Sequence, residues 1–200
     1  MAVFRRRSPR ALCRFGGAAL ALAAVLWLGA CAPAAPLTAS PMPVGGPAAE
    51  PLGAVLFCAG HREECRDPAR PAATVAMTPA LWQALHEVQV GVDGELDPDA
   101  PAAVAWHYAV DGKATCVQYA LEKRRALLAR GVPSAALQLA TAMTPRGDGH
   151  LVLIVATTGG DWVLDNLRYD VTPWGALPYR WIARQDGGSM SRWVSIAGAG

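Results

Sequence analysis

Three side chains in the second half of the chain have the types and spacing of a thiol-based catalytic site. Cys116 lies in a stretch, 113–125, that is typical of the start of a helix, so its sulfur would face the positive end of the helix dipole. His150 opens a run of apolar residues, and Asp165 falls in the next predicted strand. A nucleophile at a helix N-terminus, with a base and an orienting carboxylate on adjacent strands, is the arrangement of a thiol enzyme. The pattern predicts Cys116 as nucleophile, His150 as general base and Asp165 as the residue that orients the histidine.

The expected register of the two strands brings the base and the carboxylate together. If Thr158 and Gly159 are the two turn residues of a hairpin, residues whose numbers add up to 317 are paired. Asp165 then opposes Val152, which points to the same face as His150, so Asp165 is a diagonal neighbour of the histidine. A turn one residue earlier would make the two direct partners. Either register allows a hydrogen bond between them.

Local signals place the elements that would carry these residues. Thr78 followed by proline is typical of a helix start, and residues 93–101 are expected to be a loop. Thr115 and Gln118 form a Thr-x-x-Gln capping box before the cysteine helix, which should end near Gly131.

Three strands are predicted after the cysteine helix, at 137–143, 150–156 and 162–167. The fold class is therefore α+β, with N-terminal helices and the cysteine helix packed on an antiparallel β-meander.

The N-terminus has the pattern of an export signal. Five arginines are followed by an apolar run, 16–30, that ends in Leu-Gly-Ala before Cys31. Residues 1–30 are predicted to be a lipoprotein signal peptide and Cys31 the lipidation site. An ordinary signal peptide or a short uncleaved anchor is the alternative. The lipoprotein interpretation places the protein on the periplasmic side of the cell envelope. Its lipid anchor is expected to be held in the outer membrane.

Composition divides the rest of the chain. Residues 31–53 are rich in Ala, Pro and Gly and are predicted to be a tether, 54–185 the folded domain and 186–200 a flexible tail. Without residues 1–30 the chain has 13 basic and 16 acidic side chains, a formal charge of −3. This balance argues against nucleic acid as a partner.

The compartment of an exported protein indicates the state of the remaining cysteines. Cys58 and Cys65 are seven positions apart, and an oxidising compartment favours a disulfide between them. Zinc held with the help of His61 is the alternative, although a fourth ligand is not evident. Cys116 would then be the unpaired thiol.

The chain from about 104 to 184 resembles the bacterial transglutaminase-like cysteine proteinase family. The stretches that carry the resemblance are Cys116–Arg125, Gly149–Val155, Val163–Leu167 and Pro178–Ile182. The resemblance implies a papain-like/transglutaminase-like core and a peptidase with Cys116, His150 and Asp165 in the roles given above. It also implies a protein or peptide substrate, such as an exported or surface protein.

The residues next to the nucleophile depart from the family pattern. Acidic residues usually flank the cysteine, and in one subgroup they bind calcium, whereas this chain has Thr115 and Val117. Neither side chain offers a carboxylate to calcium. No metal and no cofactor are therefore expected.

Two other functions are compatible with the same residues. The thioester could be transferred to an amine rather than to water, as in transglutaminases. The fold could instead have lost its activity together with the acidic flank and serve as a binding module.

The predicted anchor can be tested with one substitution. Cys31→Ser removes the thiol that would carry the lipid, so the protein should move from the membrane fraction to the soluble fraction. Fractionation followed by immunoblotting measures this. Retention of the variant in the membrane fraction would contradict a lipid anchor.

Overall fold

The computed structural model describes residues 38–66, 74–98, 105–187 and 189–197. The predicted signal peptide and Cys31 lie outside these residues. The helices of the described part are α1 (Leu52–Gly60), α2 (Pro79–Glu95) and α3 (Cys116–Ala129). Its strands are β1 (Val44–Ala48), β2 (Leu137–Met143), β3 (Gly149–Thr157), β4 (Gly160–Leu164), β5 (Thr172–Pro173), β6 (Arg180–Gln185) and β7 (Trp193–Ile196). None of the described helices is long and apolar enough to cross a membrane.

The strands form one antiparallel sheet in the order β1-β7-β6-β2-β3-β4-β5. β2 to β5 are a meander, and β6 returns to pair with the other edge of β2. The predicted α+β fold, with the cysteine helix against the meander, is confirmed.

Strand β3 lies at the centre of this sheet and is buried on both faces. Leu151, Leu153 and Val155 pack in the cluster that includes residues of the helices. Val152 and Ile154 pack on the opposite face with side chains of the strands. A strand covered on both faces needs apolar residues at successive positions, which is why β3 shows no alternation.

The predicted hairpin register is confirmed. Leu153 pairs with Leu164 and Thr157 with Gly160, so the turn is Thr158-Gly159. The second strand was expected to continue to residue 167 but ends at Leu164.

The strand ends there because Asp165 starts a turn with its own side chain and backbone. Its Oδ1 accepts from the Leu167 N–H at 2.9 Å, and its carbonyl accepts from the Arg168 N–H at 3.0 Å. Local hydrogen bonding of this kind by an aspartate competes with continued strand pairing.

Both predicted helix starts are present. The Oγ1 of Thr78 accepts from the Leu81 N–H at 3.1 Å, and the capping box of Thr115 and Gln118 is complete. α2, however, continues to Glu95, so the loop expected from residue 93 onwards begins later.

The folded unit extends beyond the predicted limits of 54–185 at both ends. β1 lies in the expected tether and β7 in the expected tail, and the two strands pair with each other. Backbone hydrogen bonds between chain ends do not depend on side-chain type, so an Ala/Pro/Gly-rich composition does not reveal them. β1 is an edge strand, which is where a residue such as Pro47 is tolerated.

Cys58 and Cys65 are joined by a disulfide that links α1 to the following turn. His61 stacks on Phe57, and its Nδ1 lies 3.0 Å from the Phe57 carbonyl oxygen. With both sulfurs in the disulfide, the alternative zinc site has no thiolate ligands.

Candidate active site

The start of α3 determines where the Cys116 sulfur lies. The Thr115 N–H donates to the Gln118 side chain at 2.8 Å, and the Val117 N–H donates to Thr115 Oγ1 at 3.3 Å. These bonds fix the first turn, so Cys116 is the first helical residue. The positive end of the helix dipole therefore faces the sulfur and stabilises a thiolate there.

His150 and Asp165 are joined by a direct hydrogen bond. The Nε2–H of His150 donates to Asp165 Oδ1 at 2.7 Å, and both residues are buried. Nδ1 of the imidazole is then available to the sulfur of Cys116, and the interaction of His150 with that sulfur lowers the pKa of the thiol. The structure thus brings the three sequence-predicted residues into one chain of contacts.

A fourth side chain, Tyr179, completes the bonding of the carboxylate. Its hydroxyl donates to Asp165 Oδ2 at 2.5 Å, and its ring meets His150 edge to face, with centroids 5.5 Å apart. Sequence reasoning gave Tyr179 no role. The stretch 178–182 in the family resemblance was the only signal that could have identified it.

The contacts within this group favour the ionised forms. Burial alone raises the pKa of the Cys116 thiol, but hydrogen bonds from His150 and from the Leu151 N–H lower it below its usual value. Burial lowers the pKa of His150, but hydrogen bonds to Asp165 and Cys116 raise it to about 9. Burial raises the pKa of Asp165, yet the bonds from His150 and Tyr179 hold it below its ordinary value. The arrangement therefore supports a thiolate beside an imidazolium.

Cys116 and His150 line a cleft with a volume of about 640 Å³. Arg146 and Asp148, in the turn between β2 and β3, form part of its wall, and Arg168 contributes to another part. A cleft of this size is within the range of pockets that bind a small ligand. The charged side chains in its wall can contact polar groups of such a ligand.

The surroundings of Cys116 do not fit a bound calcium ion. Thr115 is occupied by the helix cap, and Val117 has no oxygen in its side chain. The first turn of α3 contains no acidic residue. In the described part of the chain, moreover, no three His, Cys, Asp or Glu side chains are grouped so that they could hold a metal.

Comparison with known proteins identifies the family. The model of the bacterial transglutaminase-like cysteine proteinases, BTLCP, matches residues 44–200. The chain belongs to this family, and the match begins at the first residue of β1. No match was found among curated proteins.

Solved structures of LapG from Legionella pneumophila are similar to this chain over part of its length. Calcium-bound LapG is 23% identical, with a TM-score of 0.49, over 61% of this chain and 71% of LapG. A second LapG structure is 24% identical, with a TM-score of 0.46, over 56% and 66%. EGTA-treated LapG is 25% identical, with a TM-score of 0.45, over 55% and 64%.

The bond between Tyr179 and Asp165 can be tested by its effect on stability. Tyr179→Phe removes one donor from a buried carboxylate, so the free energy of unfolding should fall by about 1.5–3 kcal/mol at pH 6. The pKa of Asp165 is lower in the folded than in the unfolded protein. The difference in the free energy of unfolding between variant and wild type is therefore present above the unfolded pKa of about 3.9, and it is lost as pH falls through the folded pKa. Urea denaturation at a series of pH values measures both effects.

Tyr169→Phe is the matched control, since Tyr169 is 78% exposed on the neighbouring turn. It should leave the free energy of unfolding unchanged. If Tyr179→Phe and the wild type had equal free energies of unfolding at pH 6, this would contradict the stabilisation of Asp165 by the Tyr179 hydroxyl.

Proposed function

We propose that the protein is a cysteine peptidase in which Cys116 is the nucleophile, His150 the general base and acid, and Asp165 the residue that orients the histidine. The observation that supports it most is the contact chain from the sulfur at the start of α3 through the imidazole to the buried carboxylate. Membership in a family of cysteine proteinases supports the same reaction class.

The first half of the reaction forms a thioester. The Cys116 thiolate attacks the carbonyl carbon of a peptide bond, and the carbonyl oxygen becomes an oxyanion. The backbone N–H of Cys116 belongs to the helix N-terminus, where N–H groups have no carbonyl of the same helix to bond, so it is a suitable donor to that oxyanion. The carbon–nitrogen bond then breaks as the His150 imidazolium gives its proton to the leaving amine.

The second half releases the acyl group. Neutral His150 takes a proton from a water molecule, whose oxygen attacks the thioester carbonyl carbon. Collapse of the second oxyanion breaks the carbon–sulfur bond, and the Cys116 thiolate and the imidazolium are restored. Asp165 keeps its charge throughout and holds the ring so that one nitrogen always faces the sulfur.

The substrate we propose is an exported or surface protein, cut at a segment that can enter the cleft in extended form. The predicted lipid on Cys31 would hold the peptidase at the periplasmic side of the envelope. Such a location would bring the cleft close to proteins that pass through or remain in that compartment.

The proposed ion pair makes a prediction about thiol reactivity. The rate at which iodoacetamide alkylates Cys116 should rise with pH. The midpoint of that rise should lie well below the ordinary thiol pKa of about 8.5. His150→Ala removes the neighbouring cation, so the midpoint should return towards that value and the rate at pH 6 should fall at least about tenfold. Asp165→Asn should shift the midpoint in the same direction by a smaller amount. Peptide mass spectrometry assigns the label to Cys116.

His86→Ala is a control, since His86 contacts Trp82 on α2 and does not line the cleft. Its alkylation curve should match that of the wild type. A wild-type curve with its midpoint at about 8.5, unchanged by either site substitution, would refute the ion pair and favour the binding module.

A second experiment distinguishes hydrolysis from acyl transfer. The protein is incubated with a pool of peptides and a biotin-labelled primary amine, with Cys116→Ala as the inactive control. Hydrolysis predicts new N-termini and new unlabelled C-terminal carboxylates that the control does not produce. Biotin on the new C-termini, or on glutamine side chains of uncut peptides, would show that the amine, rather than water, accepts the acyl group.

A further inference from the structure

A buried polar cluster on α2 and α3 contacts the backbone of the turn that carries Asp165. The Nε2 of Gln89 lies 2.8 Å from the Asp165 carbonyl oxygen and 2.7 Å from that of Arg168. The same nitrogen lies 2.7 Å from Oδ2 of Asp93, and the Oε1 of Gln89 accepts from Lys123 Nζ at 3.0 Å. Gln89 thus touches both ends of the turn from residue 165 to residue 168.

The orientation of the Gln89 amide follows from its partners. The Lys123 ammonium can only donate, so the amide oxygen must face it. The two carbonyls and the Asp93 carboxylate can only accept, so they require the amide nitrogen. Two N–H groups serve three acceptors, and one hydrogen is therefore shared. A reversed amide would face every one of these partners with the wrong group.

Two members of the cluster are shielded from solvent, Asp93 is 24% exposed, and the cluster bears balancing charges. Gln89 and the side chain of Lys123 are fully buried, and Lys123 Nζ lies 2.7 Å from Oδ1 of Asp93. Burial lowers the pKa of Lys123 below its ordinary value, and the hydrogen bond to Asp93 and the charges of Asp93 and Asp165 oppose this shift in part. A buried ammonium is retained only where such partners compensate for its lost hydration.

The positions of these residues along their helices connect the cluster to the nucleophile. Lys123 is seven residues after Cys116, two helical turns further on, so both lie on one face of α3. Gln89 and Asp93 are one turn apart on α2. Together they connect the helix that presents the sulfur to the turn that presents the carboxylate.

We propose that Gln89, held by Lys123 and Asp93, is a positioning residue for the catalytic carboxylate. It fixes the backbone of the turn at Asp165, and so the direction in which Oδ1 meets His150. This inference rests on the proposed function. It adds that the alignment of the histidine depends on an amide on α2 that does not line the cleft.

The role is tested by substitutions that remove the donor and keep the volume. Gln89→Met leaves the two carbonyls without the amide, and Gln89→Glu keeps the contact with Lys123 but places an acceptor against them. Gln83→Met is the matched control, because exposed Gln83 bonds to Glu87 one turn later on α2, as Gln89 does to Asp93. Circular dichroism and the thermal midpoint establish whether each variant is folded.

The readout is alkylation of Cys116 as a function of pH in the full chain. Asp165 and Tyr179 face the imidazole, and Asp93 and Lys123 lie behind the turn. The other charged groups of the same cleft are Arg146, Asp148 and Arg168. Both Gln89 variants should raise the thiol midpoint by about one pH unit, which means about tenfold less thiolate below it. The control should show the wild-type curve.

The possible results separate this inference from the proposed function. A low wild-type midpoint that Asp165→Asn raises, but that folded Gln89 variants leave unchanged, overturns the positioning role and leaves the peptidase proposal intact. A wild-type midpoint of about 8.5 overturns the peptidase proposal itself. If neither Gln89 variant folds, the amide maintains the fold rather than the alignment, and the positioning role is refuted.

Discussion

The rest of the site depends on one buried charge, the carboxylate of Asp165. It is 1% exposed, and an ionised group without water needs hydrogen-bond donors and opposite charge. The donors are His150, Tyr179 and the Leu167 N–H. The positive charge comes from His150 in its protonated form. The pair is mutually dependent, since the imidazolium is stable in its buried position only because the carboxylate faces it. A thiolate at Cys116 is in turn stabilised by that imidazolium.

The partners that the buried Asp165 carboxylate needs are brought together where three elements of the fold begin or end. β3 begins close to His150, β4 ends one residue before Asp165, and α3 begins at Cys116. At strand ends and helix starts, side chains and backbone donors are not used by regular pairing, so they are available to a site. The positions at which regular structure begins or ends in this chain therefore also carry the three residues of the candidate site.

The sequence predicted those parts of the site that depend on local pattern. The capping box of Thr115 and the hairpin at Thr158 follow from a few adjacent residues, and the register that makes Asp165 a diagonal neighbour of His150 follows from that turn. The pairing of β1 with β7 could not be predicted in this way, because it joins backbone segments far apart in the chain. Lys123 also escaped sequence reasoning, since a lysine in a helix is expected at the surface. Only contacts with another helix show that it is buried.

The residues beside Cys116 are consistent with the same electrostatic requirement. A carboxylate at position 115 or 117 would repel a thiolate one residue away, unless a bound cation neutralised it. In this chain Thr115 retains the cap without charge, and Val117 adds none. The positive end of α3 is therefore opposed by no acidic side chain in its first turn. Positions 115 and 117 therefore offer neither a carboxylate ligand to calcium nor a charge that would repel a thiolate, and the proposed thiolate is favoured by the helix, by His150 and by backbone N–H groups.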